Sequence, residues 1–177
     1  MFGLDRRISE LTSAELASVE GAAVPTFSAV AALARERQAG LYVELKAPGT
    51  GTIVWQELQR HNQRFVALGS FDTAQVRELR DAGCELPLSV LVRAGVDPHA
   101  QADLAAADIV HLCWEKAGVR PQDLVTPALI ERTRRDRRQI VLWHEERPEI
   151  IADIIKLPVL GICSDRPEML RLSVALF

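Results

Sequence analysis

Glu44 and Lys46 stand two residues apart in the stretch Gly40-Leu41-Tyr42-Val43-Glu44-Leu45-Lys46-Ala47-Pro48. In extended backbone, side chains two apart point the same way, so an acid and a base leave one face together. Such a pair can hold a cation with its carboxylate and an anion with its ammonium. It can equally lie solvated on an exposed edge strand. Other groups able to do chemistry recur just after apolar runs: Ser70 and Asp72, Arg93, Trp114 and Glu115, Trp143 and His144, Ser164 and Asp165. Of the four histidines, His144 alone falls at the end of such a run, where an imidazole serves as a general base or simply lies on the surface. His111 lies inside a run and reads as a satisfied core residue. His61 and His99 fall in helical stretches and carry no signal.

Periodicity sets the elements that must position these groups. Leu41, Val43 and Leu45 alternate with Tyr42, Glu44 and Lys46, which predicts a strand over 41–46 with one apolar face. Further strands are predicted over 64–72, 87–92, 108–114, 139–143 and 159–163. Helical patterns separate them. Thr12 or Ser13 can cap a short lead-in helix, and Thr26 caps a longer one carrying Phe27, Val30, Ala31 and Leu33. Ile53, Val54, Trp55 and Leu58 follow the loop Gly49-Thr50-Gly51, with Trp55 on the apolar stripe. Asp72-Thr73-Ala74-Gln75 has the form of a capping box ahead of Val76 and Leu79. Asp97-Pro98, Thr126-Pro127, Pro148 and Arg166-Pro167 open further helices, the last running through Met169, Leu170, Leu172 and Val174. The charged run from Glu131 to Arg138 reads as a solvated helix face.

Strand and helix alternate throughout, so the fold class is α/β with a parallel sheet and right-handed crossovers, and residues 1–177 form a single domain. Ligands bind at the carboxyl ends of strands in such folds, so the polar clusters collect at one mouth. Periodicity gives about six strand–helix units. A closed eight-stranded barrel usually needs about 250 residues. The chain has 177, which leaves an incomplete (β/α) barrel or an open doubly wound sheet.

Composition narrows the function classes. A net charge of -3 gives no reason to expect a nucleic-acid partner. No apolar run is long enough to span a bilayer, and the N-terminal residues lack the apolar core of a signal peptide, so a cytoplasmic location is expected. Cys84, Cys113 and Cys163 follow no metal-ligand spacing and read as free thiols.

Several stretches, in order, resemble the glycerophosphodiester phosphodiesterase family of the PLC-like phosphodiesterase superfamily. Ile8-Ser9-Glu10-Leu11-Thr12-Ser13-Ala14-Glu15-Leu16 resembles its "v.dlTlaEL", and Val24-Pro25-Thr26-Phe27 its "(I/V)PTL" helix start. Leu41-Tyr42-Val43-Glu44-Leu45-Lys46 resembles the "nIElK" of its third strand, and Ser70-Phe71-Asp72 the "SF(d/n)" closing the fourth. Val141-Leu142-Trp143 resembles "V.vWTvN", and Gly161-Ile162-Cys163-Ser164-Asp165-Arg166-Pro167 resembles "GIiTDrP". The matches span essentially the whole chain. The resemblance implies a TIM-type (β/α) barrel, here lacking the first two strands. It also implies metal-dependent hydrolysis of glycerophosphodiesters to glycerol 3-phosphate and an alcohol.

The resemblance assigns roles residue by residue. Glu44 falls on a metal ligand, with Mg²⁺ or Ca²⁺ as the implied cation, and Lys46 on the lysine near the substrate phosphate. Phe71 and Trp143 fall on the pocket wall, although each reads equally well as a core aromatic. The family's "HRG", its Glu-x-Asp pair and the following His-Asp supply its catalytic histidines and two metal acids, and nothing here matches them. His144, Glu145 and Glu146 replace "TvN", which makes His144 a candidate replacement base. Three alternatives follow: an active phosphodiesterase, a degenerate phosphate-binding member, and a structural fragment. An open barrel leaves sheet edges unpaired, so homo-oligomers are expected. The ligand is then a small glycerophosphodiester or another phosphate compound.

Overall fold

The computed structural model describes residues 6–19, 24–113 and 117–168. Six strands form its sheet: β1 (Leu41–Glu44), β2 (Val66–Ser70), β3 (Leu88–Arg93), β4 (Ile109–Cys113), β5 (Gln139–Trp143) and β6 (Gly161–Ile162). Their order in space is their order in sequence, and all five pairings are parallel. A doubly wound sheet reverses its strand order at a switch point. This one never does, so the strands wind in one direction as an incomplete (β/α) barrel. Among the described residues β1 and β6 do not pair with each other, and the barrel stays open.

Seven helices are described: α1 (Ser13–Ala17), α2 (Phe27–Glu36), α3 (Thr50–Arg60), α4 (Thr73–Asp81), α5 (Pro98–Ala105), α6 (Pro127–Arg135) and α7 (Pro148–Ile154). Local chemistry starts them where the sequence indicates. Thr12 and Glu15 form a complete capping box on α1. Thr26 Oγ1 accepts the Ala29 N–H, and Thr126 Oγ1 the Leu129 N–H. Before α4 the box is incomplete. Asp72 accepts from Ala74 N–H, while Gln75 turns into the core, where its Oε1 finds no partner among the described residues.

The strands present two different faces. Val66, Leu68, Leu88, Val90, Val92, Val110, Ile140 and Leu142 pack outward against Leu58, Val76, Leu79, Ala102, Ala105, Ile150 and Ile154 of the helices. That layer is the main core, and Trp55 packs against it as expected. Alternate residues turn to the barrel interior, among them Tyr42, Gly69, Ser89 and His111, which meet one another there.

Three strands differ from the sequence expectation by two residues or more at an end. β1 stops at Glu44, so Lys46 lies just beyond the strand. β2 covers 66–70 rather than 64–72. β6 shrinks to two residues, although Leu160 N–H and Cys163 N–H still donate to Ile140 and Leu142 carbonyls on β5. Among the described residues it pairs with β5 alone, and an edge strand ends where one neighbour's bonds end. A 3₁₀ turn over Pro121–Leu124 has no counterpart in the sequence expectation. Trp114 and Glu115, Gly21 to Ala23, and the final helix through Met169 and Val174 fall outside the described residues.

Candidate functional site

Five groups stand at the ends of β1, β2, β3 and β5. The Lys46 ammonium lies 3.5 Å from a Glu44 carboxylate oxygen. Lys46 is 78% exposed and Glu44 31%, so solvent screens most of that attraction and the ammonium stays available to an anion. Phe71 follows β2, and the Arg93 guanidinium at the end of β3 sits 4.6 Å from its ring centroid. Trp143 ends β5, and its ring meets Phe71 edge-on at 6.4 Å between centroids. Phe71 and Trp143 therefore face each other across the interior over the intervening strands β3 and β4. Both are half-buried. Arg93 was legible only as a polar strand end; its place over Phe71 needed the barrel.

Beneath this mouth lies a hydrogen-bonded floor. The Tyr42 hydroxyl donates to Ser89 Oγ at 2.6 Å, and His111 Nδ1 lies 2.7 Å from the same hydroxyl oxygen. Cys163 Sγ approaches His111 Nε2 at 3.8 Å. One proton arrangement satisfies all three contacts. Cys163 S–H points at Nε2, Nδ1–H donates to the tyrosine oxygen, and the tyrosine O–H donates to Ser89. Burial holds the His111 pKa down at about 4, so the ring is neutral at ordinary pH. Burial likewise raises the pKa of Tyr42, of Cys163, and of Cys113, the last to about 12. Tyr42 exposes 37% of its surface, yet its hydroxyl is hemmed in by Gly69, Ser89 and His111. A Cβ at Gly69 would stand 2.8 Å from that hydroxyl and 2.9 Å from Leu91 Cδ1, so the floor needs a glycine there. His111 is a satisfied interior residue, as its position within a strand implies. His61 bonds Ser28 and Glu57 at a helix end, and His99 is buried beside Asp136.

The opposite rim is built from the segments after β5 and β6. Glu145 is buried and fully engaged. Its carboxylate takes both Arg147 Nε and Nη2, at 2.8 and 2.6 Å, and accepts the N–H groups of Glu146 and Arg147. Burial pushes its pKa up, but the arginine and the two amides outweigh that and the net shift is downward. Glu146 turns the other way. One of its oxygens accepts from Ser164 Oγ at 3.1 Å and from Asp165 N–H at 2.7 Å. His144, Glu146 and Asp165 each bring one ligand atom within 4.8 Å of the others. The His144 ring lies 5.8 Å from that of Trp143.

Glu44 supplies one carboxylate toward the implied hard cation, and such an ion takes six or more oxygens. Among the described residues, the only cluster of three or more His, Cys, Asp or Glu ligand atoms is the His144 set. A cavity of about 470 Å³ lies at the other end of the strands between Trp55, Gln63, Arg64 and Leu86. Its walls hold none of the strand-end groups. A smaller hollow of about 170 Å³ reaches the mouth side beside Arg93 and Cys113.

No protein-family model matches the chain, and no curated protein matches it in sequence. Solved structures do match. A glycerophosphodiester phosphodiesterase from Thermotoga maritima superposes with a TM-score of 0.71 at 18% identity, over 100% of this chain and 74% of that one. One from Agrobacterium tumefaciens gives 0.68 at 21%, over 87% and 64%. A phosphodiesterase from Oleispira antarctica, in complex with its product sn-glycerol-3-phosphate, gives 0.68 at 12%, over 85% and 61%. The chain thus spans less than two thirds of the latter two proteins. At these identities the likeness establishes the fold: an incomplete (β/α) barrel of the glycerophosphodiester phosphodiesterase type. No helix among the described residues is long and apolar enough to cross a membrane.

Proposed function

We propose that the chain is a glycerophosphodiester phosphodiesterase-like protein whose barrel mouth receives the phosphate of a small glycerophosphodiester or related ester. One observation carries this reading: the Glu44–Lys46 pair stands at the carboxyl end of a strand, the ligand-binding end, in a barrel of that fold. Lys46 supplies an exposed point charge for the phosphate. Arg93, steadied on Phe71, offers a planar fork matched to two phosphate oxygens. Phe71 and Trp143 line the space for the alcohol portion. The product held by the Oleispira antarctica protein supports a glycerol phosphate as the ligand.

Hydrolysis to glycerol 3-phosphate and an alcohol is the activity that the structural neighbours support. On this chain it calls for a group to take a proton from water and another to protonate the leaving oxygen. His144 is the imidazole on the rim that fits the first role. A second reading, ester binding without turnover, is favoured by His111, whose two ring nitrogens are both engaged in the floor.

The test is binding of glycerol 3-phosphate and turnover of glycerophosphocholine, with Mg²⁺, with Ca²⁺ and with chelator. Saturable binding weakened in Lys46→Ala is expected. Turnover lost in Glu44→Ala would select the enzyme over the binding protein. If the intact chain neither binds the phosphate nor cleaves the diester, the proposal fails. Two subsidiary proposals accompany it. β1 and β6 each pair on one side only among the described residues, so the chain self-associates through those edges; a monomer by light scattering at micromolar concentration would remove that. The three free cysteines suit a reducing, cytoplasmic compartment.

A further inference from the structure

We propose that His144, Glu146 and Asp165 form a binding site for one divalent transition-metal ion, of which Zn²⁺ is the type. The inference is independent of the phosphodiester reading, since a chain that binds no phosphate ester could still hold the ion.

Two adjacent strands build the site. β5 and β6 pair through Val141 with Gly161 and Leu142 with Ile162, and Glu145 N–H then donates to the Cys163 carbonyl at 3.3 Å. That pairing sets the segment after β5 alongside the segment after β6. Glu145, clamped by Arg147, fixes the first segment and leaves its neighbours His144 and Glu146 to face the second. The bonds from Ser164 Oγ and Asp165 N–H hold one Glu146 oxygen, which keeps a second oxygen to offer; outer partners of this kind commonly orient a metal-bound carboxylate.

The ligand types choose the ion. One imidazole nitrogen and two carboxylates suit a borderline metal, whereas Ca²⁺ and Mg²⁺ favour all-oxygen shells. A neutral imidazole and two carboxylates carry two negative charges, which a divalent ion balances. Zinc bonds of about 2.1 Å in tetrahedral geometry set ligand atoms about 3.4 Å apart. The spread here reaches 4.8 Å, so the side chains must close by at most roughly 1.4 Å. His144 and Glu146 are half-buried and Asp165 is exposed. A water completes such a shell, leaving an open position beside Trp143 at the mouth.

The experiment uses the full chain stripped with chelator and titrated calorimetrically with Zn²⁺, then with Mg²⁺ and Ca²⁺. The expected result is one Zn²⁺ per chain, with Mg²⁺ and Ca²⁺ binding at least roughly tenfold more weakly. His144→Gln, Glu146→Gln and Asp165→Asn should each weaken Zn²⁺ by roughly tenfold or more, since loss of outer partners alone has that effect. In the unsubstituted protein, Zn²⁺ should shift the imidazole ¹⁵N resonances of His144 among the four histidines, a reading that needs no variant to fold. No saturable binding, or a Zn²⁺ affinity kept in His144→Gln and lost in Glu44→Gln or Cys163→Ser, would overturn the site. So would a zinc-induced shift confined to His61, His99 or His111.

Discussion

The two rims of the mouth differ in how they hold their charge. On the β1–β3 side, Lys46 is solvated beside Glu44, and Arg93 rests on an aromatic face. Among the described residues no arginine clamps the Glu44 carboxylate there. On the β5–β6 side, Glu145 is locked by an arginine and two amides, and Glu146 is held by Ser164 and Asp165. The first rim is loose, cationic and suited to an anion that brings its own geometry. The second is preorganised, anionic and suited to a cation that demands geometry. Both stand on one floor, the Tyr42–Ser89–His111 network, and that shared floor makes the contrast testable.

The largest effect should come from breaking the floor with acid. The folded chain keeps His111 neutral down to about pH 4, whereas the unfolded chain takes up a proton near 6.5. Acid therefore favours the unfolded state. Stability should fall as pH drops from 6.5 toward 4, by about 3 kcal/mol if the whole shift is expressed. Chemical denaturation across that window measures it, and His111→Gln should flatten the slope that remains after carboxylate titration. If the variant and the parent share one slope, the floor is not where the proton acts.

Next in size is Gly69→Ala. Its methyl would crowd the Tyr42 hydroxyl and Leu91, so a loss of about 1–3 kcal/mol is expected, with both rims disturbed together. Tyr42→Phe should cost less, about 1–2 kcal/mol, by leaving His111 Nδ1 and Ser89 without their shared partner.

The comparison itself is sharpened by a crossed pair. Lys46→Ala should weaken glycerol 3-phosphate by about 1 kcal/mol, some fivefold, and leave Zn²⁺ affinity unmoved. His144→Gln should do the reverse. If either substitution moves both ligands equally, the rims are one site. The smallest effect is expected from Arg93→Lys, which keeps the charge and loses the fork and much of the stacking, worth about 0.5–1 kcal/mol of phosphate binding.

Local order left clear marks in the chain. Alternation located the strand over 41–46, and short apolar runs between helical patterns located the other five. Caps at Thr12, Thr26, Asp97 and Thr126 are short-range bonds between neighbours in sequence, so the helix starts were legible too. Glu44 and Lys46 could be paired on paper because two residues separate them. The ends of strands were less legible: β6 is fixed by what β5 offers it, and no pattern within 159–163 records that.

The sequence by itself determined the α/β alternation, the number of strands and the collection of polar residues after them. Only the tertiary structure decided that the strands wind in a single direction, which excludes the doubly wound sheet that periodicity allowed equally. It also decided which distant groups meet: Phe71 with Trp143, Tyr42 with His111 across 69 positions of sequence, and His144 with Asp165. The physical reason is that periodicity is written by the backbone's own repeat. Meetings across the barrel depend instead on strand order, register and curvature, and these emerge only when the whole sheet packs.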